Sequence, residues 1–211
     1  MSISLSKLSG VVAALNDTIQ ENKAYLSEVD GAIGDGDHGI NMAKGFAIAA
    51  DATADGSKTV SEELSVLSKT LMMKIGGSMG PLYGMFFKAM ADTLKDRESM
   101  DLETFSGMIS AAKDAISKIS PAKPGDKTLM DCLVPSVESL VASVSAGDTL
   151  DAALEKMKKI AAEGRDSTKD MVAKLGRSSR LGERSRGVLD AGSCSCYLIL
   201  ETLANQVIAA E

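Results

Sequence analysis

Apolar residues recur at helical spacing from one end of this chain to the other, and no stretch alternates apolar with polar residues as a half-buried strand would. Leu8, Val11, Val12, Leu15, Ile19 and Leu26 make one stripe and predict a first helix from about Ser6 to Val29. Ile40 to about Ala50 predicts a second. Thr59 and Glu62 stand at capping-box spacing ahead of Leu64, Leu67, Leu71 and Ile75, the third. Leu82, Met85, Phe86 and Met90 mark a fourth that opens at Pro81, a residue tolerated in a helix's first turn. Leu102, Phe105, Ile109, Ala112 and Ile116 give the fifth, and Leu133, Val137, Leu140 and Val144 the sixth. The seventh starts near Thr149, carries Leu150, Leu154, Met157 and Ile160, and runs past Gly164 to Met171, Val172 and Leu175; the eighth covers roughly Ser193 to Ala209. Aromatic residues are only 3% of the chain and methionines number 12, which suits helices packed through small and flexible side chains. The chain reads as all-α, a single domain over residues 1–211.

The connections differ in kind. Those after helices 2, 4 and 6 are short and generic, such as "DATADGSKT", "KDRESMD" and "SAGDT". Those after helices 1, 3, 5 and 7 are "GDGDHG", "GGSMGP", "SPAKPGDKT" and "LGRSSRLGERSRGVLDAG", which carry glycines and specific polar residues. If successive helices run up and down, alternate connections share one end of the bundle. All four special loops then meet at one pole, where a rigid scaffold can present a site.

Asp30, Asp35 and Asp37 fall within "DGAIGDGDHGINM", beside the single histidine of the chain, His38. Carboxylates so close repel one another unless a cation lies between them. An EF-hand is excluded, because counted from Asp35 its turn glycine and closing glutamate would be Ile40 and Phe46. Hard oxygen ligands suit Mg2+, which is commonly completed by water and phosphate oxygens. Gly34, Gly36 and Gly39 allow close backbone approach at the N-terminus of the second helix, where free N–H groups favour an anion, and "GGSMGP" offers the same at the fourth. His38 and Asn41 can donate to phosphate oxygens, and Arg177 supplies a planar cationic fork. Neither a Walker A motif nor a kinase glycine loop is present.

Each feature has a plainer reading. Asp-Gly pairs form polar turns without metal, and a histidine beside aspartate is often only hydrogen-bonded. The basic run of Lys174, Arg177, Arg180, Arg184 and Arg186 reads equally as a solvated loop or as a phosphate or partner contact. Cys132, Cys194 and Cys196 read as small buried hydrophobes. A net charge of −6 argues against nucleic acid and anionic membranes as partners. With no signal segment and no long apolar run, a cytoplasmic location is expected.

Taken together, "EVDGAIGDGDHGINMAKGF", "GGSMGPLYGMFF", "PGDKTLMDCLVPSVESL" and "GRSSRLGERSRGVLDAG" closely resemble, in order and spacing, the L subunit of bacterial dihydroxyacetone kinase. The resemblance spans essentially the whole chain and implies an eight-helix antiparallel up-and-down barrel with ADP or ATP and two Mg2+ at one end. It implies that Asp30, Asp35 and Asp37 are the Mg2+ ligands, Asp35 shared by both ions. It implies that His38, Gly39, Ile40 and Asn41 meet the phosphates with Ser78 and Met79, and that Ser120, Leu129, Arg177, Asp190, Ala191 and Gly192 surround the rest of the nucleotide. Arg177 and His38 are the implied catalytic groups. Two positions depart from the family: Met79 replaces a commonly small polar residue, and Ala191 a common proline.

In that family a separate K subunit holds dihydroxyacetone through its own histidine, and the L subunit delivers the γ-phosphoryl group. Many L subunits keep ADP permanently and are rephosphorylated by a phosphohistidine protein of the phosphoenolpyruvate sugar phosphotransferase system, while others use free ATP. The resemblance also leaves room for a homodimer, for a related ketose or a fatty acid as acceptor, and for a regulatory subunit that reports the charge state of its nucleotide.

Overall fold

The helical period of the sequence becomes nine α-helices among residues 2–210, the residues that the computed structural model describes. They are α1 (Val11–Glu21), α2 (Lys23–Ile33), α3 (His38–Thr53), α4 (Val60–Lys74), α5 (Met79–Leu94), α6 (Leu102–Ser117), α7 (Met130–Ala146), α8 (Leu150–Ser167) and α9 (Ala191–Ala209). The expected first helix is therefore two helices. Asn22, at φ −98° and ψ 6°, ends α1 and starts α2. Leu15 and Ile19 of α1 and Leu26 of α2 are all fully buried, so the apolar stripe continues across a break that it does not announce.

α1 and α2 pack on both α3 and α9; from α3 onward each helix packs on the next, and α8 on α9 closes the ring. Counted around this ring, the broken α1/α2 column and the seven helices after it make the expected eight-member barrel. Thr59 and Glu62 form the capping box of α4, with Thr59 N donating to Glu62 Oε2 at 2.8 Å. Asp101, Thr149 and Asp190 cap α6, α8 and α9 through their side chains. α1 has no such residue at Gly10. Its first N–H groups are satisfied from α4, where the buried Glu63 accepts from Gly10 N at 2.8 Å and Val12 N at 3.2 Å.

One further sequence expectation is corrected, the length of the seventh helix. The expected seventh helix ends at Ser167, and a 3-10 turn over Thr168–Asp170 leads into a non-helical stretch holding Met171, Val172 and Leu175. A further 3-10 segment in the same connection spans Ser178–Ser185. β1 (Ile3–Ser4) pairs antiparallel with β2 (Ser99–Met100), a ladder too short to leave an alternating pattern. The core is apolar and continuous through the ring, with Phe46 of α3 edge-on to Phe87 of α5 at 5.8 Å. Cys132, Cys194 and Cys196 are free and buried. Among the described residues no helix is long and apolar enough to cross a membrane.

Candidate functional site

The connection from α2 to α3 is only residues 34–37, and it is tight because α2 and α3 nearly touch where it turns. A Cβ on Gly39 would come within 2.1 Å of Lys23 O and 2.7 Å of Ser27 Oγ, so only glycine permits the approach. The turn brings carboxylate oxygens of Asp30, Asp35 and Asp37 within 4.8 Å of one another. Asp30, in the last turn of α2, accepts from His38 N at 3.2 Å and so joins the two helix ends. The guanidinium of Arg177 forms an ion pair with Asp35. A cluster of hard carboxylate oxygens with one cationic neighbour fits Mg2+ and a phosphate chain.

Under this turn lies a buried polar chain. His38 Nε2 is hydrogen-bonded to Ser195 Oγ at 2.9 Å, Ser195 Oγ to Tyr83 Oη at 2.6 Å, and both hydroxyls reach Gly192 O at 3.1 Å. Burial lowers the His38 pKa to about 4, against a smaller upward pull from Asp30. The imidazole is therefore neutral at pH 7, and the cation that meets the aspartate turn is Arg177.

The α6–α7 loop is organised from α7. The buried Asp131 accepts from Gly125 N and, at 2.7 Å, from Thr128 N, which presents Ser120 and Leu129 toward the site. Lys127, at φ +60°, turns its ammonium inward to the carbonyls of Thr168, Met171, Ser185 and Val188 in the α8–α9 connection. That connection carries Arg177 and ends at Asp190, whose carboxylate caps α9 by accepting from Ser193 N at 2.7 Å. Desolvation pushes the Asp190 pKa up to about 7, opposed by the bond from Ser193 and reinforced by Asp131.

The four loops enclose one cavity of about 680 Å3, within the usual range for a small-molecule site. Asp30, Asp35, Asp37, His38 and Asn41 line it from the first loop, Ser78 and Met79 from the second, Ser120 and Leu129 from the third, and Arg177 with Asp190–Gly192 from the last. Gly39 and Ile40 are not on its wall: Gly39 is spent on helix packing and Ile40 is 53% exposed. What these two offer is the first-turn N–H groups of α3. Of the basic run, Lys174 pairs with Asp126 and Arg186 with Glu183, while Arg180 and Arg184 are exposed. Sequence reasoning passed over Tyr83, Lys127 and Ser195, whose partners lie far away in the chain.

Residues 32–205 match the family described as the DAK2 domain. The chain belongs to the DAK2 domain family. This DAK2 domain is 36% identical to the "PEP-dependent dihydroxyacetone kinase, ADP-binding subunit DhaL" of Escherichia coli (strain K12), over 97% of this chain and 98% of that one. Its identity to the "PTS-dependent dihydroxyacetone kinase, ADP-binding subunit DhaL" of Lactococcus lactis subsp. lactis (strain IL1403) is 42%, over 91% and 92%. The "L-erythrulose kinase" of Pectobacterium atrosepticum matches at 32% over 92% of this chain, which spans only 34% of that longer protein. Among solved structures, the dihydroxyacetone kinase of C. freundii in complex with AMP-PNP and Mg2+ matches with a TM-score of 0.68 at 21% identity. The match covers 94% of this DAK2 domain and 33% of that chain, and it establishes the shared fold.

Proposed function

We propose that this DAK2 domain is the nucleotide-carrying subunit of a dihydroxyacetone (glycerone) kinase, binding ADP or ATP with Mg2+ and transferring a phosphoryl group to dihydroxyacetone held on a separate K subunit. One observation carries the reading: three clustered carboxylates, an arginine and two helix N-termini converge on a single cavity, in a chain that matches ADP-binding kinase subunits almost end to end. Asp30, Asp35 and Asp37 would hold two Mg2+, with Asp35 between them. When bound, the ions neutralise phosphate oxygens and polarise the bond being broken. Asn41, Ser78 and the first turns of α3 and α5 orient the phosphates, and Ser120, Leu129 and Asp190–Gly192 hold the rest of the nucleotide. Arg177 leaves Asp35 to meet charge developing on the transferred group. His38, neutral and fixed by Ser195, sets the first turn of α3.

A loose phosphoryl-transfer transition state needs placement and charge compensation more than a nucleophile on the enzyme. No dihydroxyacetone site is assigned to this chain, and the erythrulose kinases support that division, since they match it over only a third of their length. The acceptor is then chosen by the partner. PEP- and PTS-dependent relatives that bind ADP support a donor from the phosphotransferase system, which we take to be a phosphohistidine protein acting on bound ADP in the cytoplasm. The purified protein, mixed with a K subunit and either ATP or a phosphoenolpyruvate relay, is expected to yield dihydroxyacetone phosphate, with the relay as the better donor. No product with any cognate K subunit and either donor overturns the reading.

A further inference from the structure

Among the described residues Lys127 is the only buried lysine, 1% exposed, and no carboxylate contacts its ammonium. An ammonium inside a protein is costly unless its donors are used. Here its three N–H donors are shared among four backbone carbonyls, Thr168 O at 2.9 Å, Ser185 O at 2.7 Å, Met171 O at 3.3 Å and Val188 O. These acceptors fall into two pairs. Thr168 and Met171 lie where the connection leaves α8, and Ser185 and Val188 where it returns toward α9. Between them the chain carries Arg177 and passes through left-handed φ values at Gly176 (φ +72°) and Gly182 (φ +53°).

A loop held only at its hinges would leave Arg177 free to wander. The cross-bonds between its two arms all lie near these roots: Ala173 N donates to Ser185 Oγ at 2.9 Å, Gly187 N to Lys169 O at 2.7 Å, Asp190 N to Thr168 Oγ1 at 3.0 Å and Arg186 Nη1 to Asp170 O. The other strap comes from the residue beside Lys127, since Lys174 N donates to Asp126 O at 3.1 Å. Two adjacent residues of the α6–α7 loop thus hold both arms of the α8–α9 connection.

We infer that Lys127 is a positioning residue for phosphoryl transfer: its ammonium clamps the two roots of the Arg177 loop to the α6–α7 loop, so that the cavity wall and Arg177 are placed as one unit. The inference rests on the proposed role of Arg177. None of the ammonium's partners belongs to the aspartate turn, so removing the clamp reaches that turn only through Arg177 and its pair with Asp35.

The test uses the intact protein with its K subunit. Lys127→Met is expected to lower kcat at least about tenfold with an unchanged KM for dihydroxyacetone, and to add less than about threefold in an Arg177→Ala background, because both changes remove one contribution. Wild-type kcat in Lys127→Met, or losses that multiply with Arg177→Ala, overturns the inference. Should Lys127→Met fail to fold by circular dichroism, the same measurements are made on Lys127→Arg, which keeps the charge but not the tetrahedral donors, with the same direction and a smaller size expected. A second readout needs no turnover: trypsin cleavage after Arg180 and Arg184 is expected to accelerate in the lysine variant while the rest of the chain resists. Unchanged cleavage there overturns the clamp. If the wild type shows no turnover with any acceptor subunit, it is the functional reading that falls, and the trypsin comparison still decides the clamp.

Discussion

Arg177 lays its guanidinium on the carboxylate of Asp35, joining the α8–α9 connection to the α2–α3 turn across the mouth of the cavity. Both side chains are well exposed, at 60% and 43%, and an ion pair so open to water is worth at most ~1 kcal/mol. It is therefore easily exchanged for a stronger partner. Arg177→Ala is expected to tighten Mg2+ binding to the nucleotide-free protein by up to about fivefold, because the competing cation is gone. The same variant is expected to slow phosphoryl transfer on the order of 1,000-fold while weakening ADP much less. Calorimetry and single-turnover rates check the two halves; equal losses in affinity and rate would make Arg177 a ground-state contact.

Asp35 is the carboxylate reached by both Arg177 and the cluster of Asp30 and Asp37. Asp35→Asn keeps the shape and removes the charge. Since even groups one step removed from a metal are worth about 10- to 100-fold in its affinity, loss of a direct ligand is expected to cost at least about 100-fold in Mg2+-dependent ADP binding. Parallel titrations in Mg2+ and in chelator separate this from a folding defect. Wild-type ADP affinity in Mg2+ would remove Asp35 from the metal site.

Glu63 serves stability and not the site. Its carboxylate is the N-terminal cap that α1 lacks in its own sequence, accepting from Gly10 N and Val12 N. Glu63→Ala orphans both donors and is expected to cost about 2 kcal/mol in urea unfolding, with ADP affinity unchanged once the protein is folded. A loss below about 0.5 kcal/mol would mean that water replaces the carboxylate.

These examples mark how far the sequence could be read. Helical period located every column of the barrel, since Leu64, Leu67 and Leu71 can bury one face of α4 only if that segment is helical. The same period hid the break at Asn22 and overran the end of α8, because Met171 and Val172 continue the apolar pattern in backbone that is no longer helical. The loops were legible from glycines and charges crowded into a few residues. Tyr83, Lys127 and Ser195 were not, because their partners are remote: Ser195 meets His38 across 157 positions, and Lys127 meets Val188 across 61. Nothing local distinguishes a lysine that will donate to carbonyls in the interior from one that will face water.

The raised pKa of Asp190 makes a pH prediction whose sign can be worked out. Folding lifts it from 3.8 to about 7, so between those values the folded protein holds a proton that the unfolded chain has released. Its contribution to stability is complete below about pH 4 and declines as pH rises to about 7. Asn also caps helices, so Asp190→Asn keeps the start of α9 and removes only the titration. Wild-type stability minus that of Asp190→Asn, measured by denaturant unfolding in chelator, is expected to fall across this window with a slope no steeper than about 1.4 kcal/mol per pH unit. A difference that stays flat from pH 4 to 7 would show that the carboxyl group is solvated.

His38 is the only histidine of the chain, so its ring signals in a proton NMR spectrum stand alone. Burial holds the imidazole at a pKa of about 4, and Ser195 Oγ occupies its Nε2 at 2.9 Å. In chelator, the wild-type signals are expected to stay at their neutral positions from pH 8 down to about 5, whereas a water-exposed histidine would titrate near pH 6.5. Ser195→Ala removes the hydroxyl shared by His38 and Tyr83 and leaves both groups without that partner. The His38 midpoint is expected to stay low, because burial and not Ser195 holds it down, and stability to drop by about 1–3 kcal/mol for the unsatisfied polar groups. Tyr83→Phe should cost less than Ser195→Ala, because Ser195 still reaches Gly192 O and the imidazole keeps its partner. A wild-type midpoint near 6.5 would place the ring in water and return His38 to the charged contacts of the site.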